Sequence, residues 1–227
     1  ITHISTVLPN EAHYLINIFN LKAKYVPFNY AIAGKLFKKY ENWNRDINKK
    51  NMKILVGNSG TYANNHLEII NYLSKFNLDN THFIFPLSYG DPDYIEYIID
   101  YGYKLLGNNF VPLTKFLPEN EYFKLLSECS VGIMNHKRQQ AGGNINILLW
   151  LGAKIYLKKT NLFYEFYKSK GVNIYSIEDH LDKNNSEVFN ELPREIQLKN
   201  KKKVEDHFGY NRLIERTNNL VQTLYNE

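Results

Sequence analysis

Short, mostly apolar segments alternate with amphipathic segments along most of this chain. The segments at residues 52–56, 130–134 and 154–157 have the length of buried strands, and the stretches between them repeat apolar residues at helical spacing. We predict strands at 1–7, 23–28, 52–56, 82–86, 104–106, 130–134, 154–157 and 172–175, and helices at 9–20, 66–76, 92–101, 119–128, 145–151 and 161–169. This alternation predicts a doubly wound, parallel sheet of the α/β class.

Two segments interrupt the alternation and suggest how the chain is divided. Residues 31–51 are charged and rich in Asn and Lys, so we expect a linker with at most a helical turn between a β-α-β unit at 1–30 and a larger α/β unit at 52–180. Residues 181–227 are polar and end in a predicted helix at 204–225. Their basic run at 199–203 is either a solvated segment or a contact with an anionic membrane face.

Composition narrows the class of protein. The chain has 227 residues, and no apolar run approaches the ~20 residues that a membrane-spanning helix needs. Its single cysteine, Cys129, excludes an internal disulfide framework and suits the cytoplasm. Because the first residue is Ile1 and no signal peptide is evident, we expect a piece of a longer protein. The net charge of +5 favours an anionic partner: a nucleotide, a nucleic acid or an acidic lipid surface.

The most informative polar segment is NHKRQQAGGN at 135–144, between a predicted strand and a predicted helix. In an open parallel sheet such loops lie at the carboxyl ends of the strands, where ligands bind. Gly142 and Gly143 allow close approach of the backbone, the first helical turn offers free amides, and Lys137 and Arg138 add positive charge. The segment therefore predicts a phosphate site.

Two further loops follow strands of the same predicted sheet. The sequence GNSG at 57–60 either cradles a phosphate through its amides and Ser59 or merely forms a turn. In the loop at 87–91, Tyr89 is placed to stack on a ligand and Gly90 to bend the chain, and a plain turn is the alternative. Because all three loops should open on one edge of the sheet, we expect them to converge.

Several side chains in these loops have more than one possible role. His136 is a general acid, a phosphate donor or only a loop residue, whereas the planar guanidinium of Arg138 suits phosphate oxygens. Gln139 and Gln140 bond either sugar hydroxyls or the loop backbone. Asn144 and Asn146 cap the following helix or face a ligand. No Cys/His set has zinc spacing and 91–93 is the only Asp pair on a loop, so we expect neither a metal nor a cofactor.

Four segments, in order, resemble a known family. They are ILVGNSGTYANNH at 54–66, FPLSYGD at 85–91, LTKFLPENEYFKLLSECSVGIMNHKRQQAGGNI at 113–145 and LLWLGAKIYL at 148–157. They resemble the bacterial dTDP-N-acetylfucosamine:lipid-II N-acetylfucosaminyltransferases of glycosyltransferase family 56. The resemblance covers about residues 53–180, and the NHKRQQ-x-GN block with GNS-x-x-x-x-NNH is its most specific part.

This resemblance implies a fold and a reaction. The fold is of the GT-B type, with two Rossmann-like domains, of which 1–30 resembles the end of the acceptor domain and 52–180 the donor-binding domain. The reaction is an inverting, metal-independent transfer of N-acetylfucosamine from a dTDP-sugar to an undecaprenyl-diphosphate-linked saccharide. It belongs to enterobacterial common antigen assembly, at the cytoplasmic face of the inner membrane, where the protein would be peripheral. With the catalytic base expected in the rest of the acceptor domain, this chain alone should be inactive.

The resemblance also assigns expected roles to residues. Arg138 and His136 are expected to be catalytic, and 115–117 to lie beside the pyrimidine. The expected substrate-binding residues are Gly57, Asn58, Ser59, Gly60, Tyr89, Gly90, Lys115, Phe116, Leu117, Lys137, Gln139, Gln140, Gly142, Gly143, Asn144 and Asn146. The paired glutamates of the wider superfamily are replaced here by Gln139 and Ile147, so ribose contacts should come from Asn144 or Asn146.

Two other functions compete with this one. The first is a non-catalytic module that binds nucleotide sugars. The second is a single-stranded nucleic-acid binder that uses a basic, Tyr-rich surface. Because the cations nearest a predicted site are concentrated in one loop rather than along a stripe, we expect no nucleic-acid partner.

Overall fold

The computed structural model describes residues 1–28, 32–43, 45, 47–48, 50–77, 79–185 and 187–226. Its strands are β1 (His3–Ile4), β2 (Lys24–Tyr25), β3 (Met52–Val56), β4 (Thr81–Pro86), β5 (Phe110–Leu113), β6 (Cys129–Met134), β7 (Lys154–Leu157) and β8 (Tyr175–Ser176). Its α-helices are α1 (Pro9–Ile18), α2 (Ile32–Lys39), α3 (His66–Leu73), α4 (Pro92–Leu106), α5 (Glu119–Glu128), α6 (Gly142–Leu151), α7 (Leu162–Ser169), α8 (Ile177–His180), α9 (Arg194–Phe208) and α10 (Tyr210–Tyr225). This α/β architecture confirms the predicted fold class.

The larger sheet has six parallel strands in the order β5-β4-β3-β6-β7-β8. Along the chain this is the 3-2-1-4-5-6 order of the Rossmann fold, in which the connections run to opposite sides of the first strand. The switch point therefore lies between β3 and β6. Ligands of such sheets bind outside the carboxyl ends of the strands at this point.

The centre of the sheet is buried on both faces. All six residues of β6 are buried, and its Gly132 leaves room for Leu148 of α6 and Ile155 of β7. Helix α6 is apolar around most of its surface because α2, α5 and α9 pack around it. Such burial explains why α6 shows almost no polar face in the sequence.

A smaller parallel pair, β1 and β2, is connected through α1. This is the β-α-β unit predicted at 1–30, although each strand is only two residues long. The unit touches the larger one through Asn10, whose Nδ2 donates to the Leu162 carbonyl at 3.0 Å. The proposed boundaries after residues 30, 51 and 180 stay predictions, and residues 29–31 lie outside the described part.

The segment predicted as a linker contains a packed helix. Helix α2 buries Ala33, Leu36 and Phe37, and the Phe37 ring stacks on Trp150 at 5.0 Å. Tyr40 stacks on Phe123 at 3.9 Å. Lys35, Lys38 and Lys39 are exposed on the outer face of this helix, and the prediction of at most a helical turn was wrong.

The predicted strand at 104–106 is also wrong, because these residues end α4. The buried positions Tyr94, Ile98, Gly102 and Leu106 are four residues apart and form one helix face. Gly107 ends the helix with φ 54°. The strand that follows is β5, at residues for which we predicted no strand.

The carboxyl-terminal region is more ordered than its polarity suggests. Instead of one helix at 204–225 there are two, α9 and α10, separated at Gly209. The basic run lies within α9, where Asn200, Val204 and Phe208 are buried and Lys201 lies over the Trp150 ring at 4.1 Å. Among the described residues, no helix is long and apolar enough to cross a membrane.

Candidate functional site

Three loops meet at the switch point. We name them the β3 loop (57–65), the β4 loop (87–91) and the β6 loop (135–141). Hydrogen bonds join the β3 and β6 loops, among them those from the Lys137 amide to the Ala63 carbonyl at 3.0 Å and from Asn135 Nδ2 to the Asn65 carbonyl at 3.1 Å. The convergence expected from the sequence is therefore present.

Asn64 organises the β3 loop, a role that we did not predict. Its side chain is 1 % exposed and donates to the Ser59 carbonyl at 2.7 Å and to Ser59 Oγ at 3.0 Å, while its Oδ1 accepts from the Asn58 amide at 3.0 Å. Ser59 is itself buried and lies 3.2 Å from Thr61 Oγ1. In this conformation Ser59 is bonded within its own loop and stabilises it. The only sequence signal was the GNS-x-x-x-x-NN spacing.

Gly60 of the β3 loop and Gly90 of the β4 loop hold these two loops together. The Gly60 amide donates to the Tyr89 carbonyl at 2.8 Å, and the Asp91 amide donates to the Gly60 carbonyl at 3.0 Å. A Cβ atom on Gly90 would lie 2.2 Å from the Gly60 carbonyl oxygen. Asp91 caps α4 by accepting from the Tyr94 amide at 2.9 Å. Gly60 and Gly90 thus serve loop packing, and Asp91 is occupied as a helix cap.

A chain of side-chain hydrogen bonds crosses all three loops. Asn58 Nδ2 donates to the Tyr89 hydroxyl at 3.2 Å, Gln140 Nε2 donates to Asn58 Oδ1 at 3.1 Å, and Arg138 Nε donates to Gln140 Oε1 at 3.1 Å. We call this chain the polar clasp. Within the described residues the Arg138 side chain bonds only through Nε, so its two terminal NH₂ groups are available for an anion.

The amino terminus of helix α6 lies directly after the β6 loop, two residues from Gln140 of the polar clasp. Ala141 precedes it with φ 59°, and no side chain caps the first turn. A Cβ atom on Gly143 would meet nothing within 4 Å, whereas one on Gly142 would lie 2.9 Å from the Phe163 ring. The first amides of α6 are therefore uncapped, with open space beside Gly143, in a position that favours an anion.

The two asparagines of α6 bond to neighbouring tyrosines instead of capping the helix. Asn144 Nδ2 donates to the Tyr122 hydroxyl at 2.9 Å, and Asn146 Oδ1 accepts from the Tyr167 hydroxyl at 2.7 Å. The expectation that one of them caps α6 was wrong. Asn146 is 5 % exposed and therefore buried, whereas Asn144 is half-buried.

His136 is completely buried beneath the loops, close to a second buried histidine, His66. Neither ring nitrogen of His136 makes a hydrogen bond of normal geometry within the described residues. Burial lowers the pKa of His136 to about 3, with His66 and Arg138 adding to the shift and the Gln140 backbone opposing it. Burial alone lowers the pKa of His66 to about 4. An imidazole with such a pKa is neutral near pH 7 and cannot be a general acid in this conformation.

These lowered pKa values predict acid sensitivity. In the folded chain both histidines have pKa values below the ordinary 6.5, so they bind protons more weakly than in the unfolded chain. Their contribution to stability is therefore complete above pH 6.5 and is lost as the pH falls through about 4 and 3. A tenfold difference in proton affinity between the folded and unfolded states is worth about 1.4 kcal/mol, so the free energy of unfolding should fall by several kcal/mol. Urea unfolding at several pH values measures this loss. The His136→Leu variant should show a flatter profile, and parallel profiles for the two proteins would contradict the assignment.

The remaining predicted residues lie in the β6 loop and after β5. Lys137 and Arg138 are exposed, Gln139 is half-buried, and the predicted pyrimidine segment at 115–117 follows β5 at the same edge of the sheet. Phe116 there is 82 % exposed. The described residues contain no cluster of His, Cys, Asp or Glu with metal-ligand geometry.

Comparison with known proteins identifies the family. Residues 20–215 match the model of the 4-alpha-L-fucosyltransferases, glycosyl transferase group 56. The chain belongs to this family. The family that the sequence segments resemble is thereby confirmed, and the match includes most of the chain.

Solved glycosyltransferases share the fold of this group 56 protein. A glycosyltransferase from Rickettsia africae ESF-5 has a TM-score of 0.69 and 10% identity, over 99% of this chain and 64% of its own. Anabaena Alr3699/HepE, in complex with UDP and glucose, has a TM-score of 0.66 and 12% identity, over 99% of this chain and 63% of its own. The chain thus spans slightly less than two thirds of these proteins. At such identities the likeness shows the GT-B-type fold alone.

Proposed function

We propose that this chain supplies the donor-binding part of a glycosyltransferase and holds the diphosphate of a nucleotide sugar at the switch point. The observation that carries the proposal is the uncapped amino terminus of α6, which lies directly after the loop that carries Arg138 and Lys137. Backbone amides, a helix dipole and two full positive charges there favour the same ligand.

The proposed chemistry is electrostatic. When the bond between the sugar C1 and the diphosphate oxygen breaks, negative charge grows on the leaving diphosphate, and preorganised donors act most strongly where charge develops. The free NH₂ groups of Arg138 and the amides of Gly142 and Gly143 are the donors in place. His136 is a neutral buried group beneath them, since its pKa is far below 7.

The donor, the acceptor, the type of transfer and the cellular location are proposed from the family. We propose a dTDP-linked N-acetylfucosamine-type donor, an undecaprenyl-diphosphate-linked saccharide acceptor, an inverting and metal-independent transfer, and a peripheral position at the inner membrane. Membership of the 4-alpha-L-fucosyltransferase family supports the sugar. The presence of UDP in the similar HepE structure supports a nucleoside diphosphate as the bound part of the donor.

Titration calorimetry with nucleoside diphosphates tests the proposal. The chain should bind dTDP or UDP, and EDTA should leave the affinity nearly unchanged because the loop cations and helix amides neutralise the diphosphate. A single-stranded oligothymidylate serves as the control ligand. Binding that requires magnesium or manganese would refute the metal-independent mechanism, and tighter binding of the oligonucleotide than of dTDP would favour a nucleic-acid binder.

The polar clasp gives a second prediction for binding. Gln140→Ala removes the group that orients Arg138, so we expect dTDP affinity to fall several-fold, corresponding to about 0.5–1.5 kcal/mol for one hydrogen bond. Gln139→Ala is the comparison: Gln139 is outside the clasp, so an effect of its removal would reflect its own expected contact with the ligand and not the orientation of Arg138.

A double-mutant cycle distinguishes orientation from direct contact. If Gln140 acts through Arg138, the Gln140→Ala change should have little further effect in an Arg138→Ala background. Additive losses would mean that Gln140 touches the ligand independently.

A further inference from the structure

Tyr122 and Asn144 form a hydrogen-bonded pair beside the proposed diphosphate site. Tyr122 lies in the first turn of α5, and Asn144 lies in the first turn of α6, whose amides are uncapped. Asn144 Nδ2 donates to the Tyr122 hydroxyl at 2.9 Å. We call these two residues the outer pair. Tyr122 is outside the three loops at the switch point, and the sequence predicted no role for it.

The direction of this hydrogen bond leaves one group unused on each partner. Because the Tyr122 oxygen accepts from Asn144, the hydroxyl proton needs another acceptor, and none is present among the described residues. Asn144 Oδ1 likewise accepts no hydrogen bond from the described part of the chain. The two polar atoms of an amide share one carbon, so this acceptor lies close to the hydroxyl. The outer pair therefore offers a donor and an acceptor to the same small group.

A second tyrosine–asparagine pair on α6 has the opposite direction. The Tyr167 hydroxyl donates to Asn146 Oδ1 at 2.7 Å, so its proton is used within the protein. Both residues of this inner pair are buried, whereas Tyr122 and Asn144 are half-buried. The inner pair belongs to the core, and the outer pair has both the free groups and the exposure that a ligand contact requires.

A free donor beside a free acceptor matches a hydroxyl group better than a phosphate. An ionised phosphate oxygen only accepts hydrogen bonds, and Asn144 Oδ1 would repel it. A hydroxyl can accept from Tyr122 and donate to Asn144 at the same time. Burial raises the pKa of Tyr122, so its hydroxyl keeps its proton near pH 7. Because both side chains project from helices, the two groups are held in place before a ligand arrives.

We propose that the outer pair binds the 3′-hydroxyl of the nucleotide pentose and selects nucleotides in which this hydroxyl is free. The inference rests on the proposed function, because it takes the diphosphate to lie on the first amides of α6. The pentose adjoins the diphosphate on the side of the base, and α5 begins just after segment 115–117, which is expected beside the base. In dTDP the 3′-hydroxyl is the only free hydroxyl of the pentose.

Titration calorimetry with dTDP and with 2′,3′-dideoxythymidine 5′-diphosphate, which lacks the 3′-hydroxyl, tests the outer pair. The analogue should bind the parent chain about 3- to 10-fold more weakly than dTDP, because it leaves both groups of the pair without a partner. Tyr122→Phe should weaken dTDP binding about 2- to 10-fold and leave binding of the analogue unchanged. Asn144→Ala is a second variant with the same expected pattern.

The matched control is Tyr167→Phe, which removes the same hydroxyl from the inner pair. It should change the affinity for neither nucleotide, although the chain loses stability because Asn146 Oδ1 is left buried without its partner. Circular dichroism of each variant confirms that the fold is kept.

The outcomes separate this inference from the proposed function. Equal losses of dTDP and analogue binding in Tyr122→Phe would mean that Tyr122 contacts the diphosphate or the base. Unchanged dTDP binding in Tyr122→Phe, or equal affinity of the parent chain for dTDP and the analogue, would mean that the 3′-hydroxyl is not bound there. Each of these results overturns the inference and leaves the donor site in place. A parent chain that binds neither nucleotide would reject the donor site and this inference with it.

Discussion

Replacing Arg138 by alanine is expected to weaken dTDP binding by about 10- to 150-fold, which corresponds to the 1.5–3 kcal/mol of a hydrogen bond to a charged group. Among the described residues, the Arg138 guanidinium is the only charged group in the polar clasp, and its NH₂ groups are free to bind an anion. Because the side chain is exposed, its removal should leave the fold intact. Calorimetry measures the affinity, and circular dichroism confirms the fold.

The control for this prediction is Lys202→Ala. Lys202 carries the same charge but lies on the exposed face of α9, away from the loops. We expect no measurable change in dTDP affinity. Similar losses from both substitutions would indicate a diffuse electrostatic surface, and no loss from Arg138→Ala would remove this residue from the site.

The largest effect on stability is expected from Gly90→Ala. Gly90 has φ 139°, a region that only glycine adopts readily, and its new Cβ would lie 2.2 Å from the Gly60 carbonyl oxygen. The backbone strain and the overpacking each cost about 1–3 kcal/mol, so we expect a loss of about 2–6 kcal/mol in the free energy of unfolding. Urea unfolding provides the measurement, and the weakened pairing of the β3 and β4 loops should also reduce dTDP binding.

Gly143→Ala is the matched control for stability. A Cβ atom at Gly143 meets nothing within 4 Å, and the residue lies in the first turn of α6. Alanine is favoured over glycine in helices by up to about 1 kcal/mol, so this variant should be as stable as the parent or more so. A comparable loss in both variants would mean that the Gly60–Gly90 contact is not what requires a glycine at residue 90.

The meeting of the three loops at the candidate site could be predicted from the sequence, because it depends on the order of strands, loops and helices along the chain. Polar residues at 135–144 stand between two apolar segments, and an alternating α/β pattern places such loops at one edge of a parallel sheet. The same reasoning failed at 104–106, where the apolar pair Leu105 and Leu106 is too short to distinguish a strand from the end of a helix.

The internal organisation of the site could not be predicted, because it depends on contacts between segments distant in sequence. His136 is buried where the β6 loop packs against the β3 loop, and that burial is the main cause of its low pKa. The Gly60–Gly90 contact and the bond from Gln140 to Asn58 likewise join different loops. The sequence shows which residues are polar, whereas the structure determines whether each side chain bonds to a neighbour or is open to solvent.

The most direct test of diphosphate binding at the amino terminus of α6 is to map dTDP binding onto the backbone by ¹H–¹⁵N NMR titration. We predict the largest amide shifts at Gly142, Gly143 and Asn144, smaller shifts in the β3 loop, and essentially none in α10. These are the amides that the uncapped end of α6 offers to a diphosphate. Saturable binding whose shifts are confined to other surfaces, with the first turn of α6 unchanged, would contradict the account.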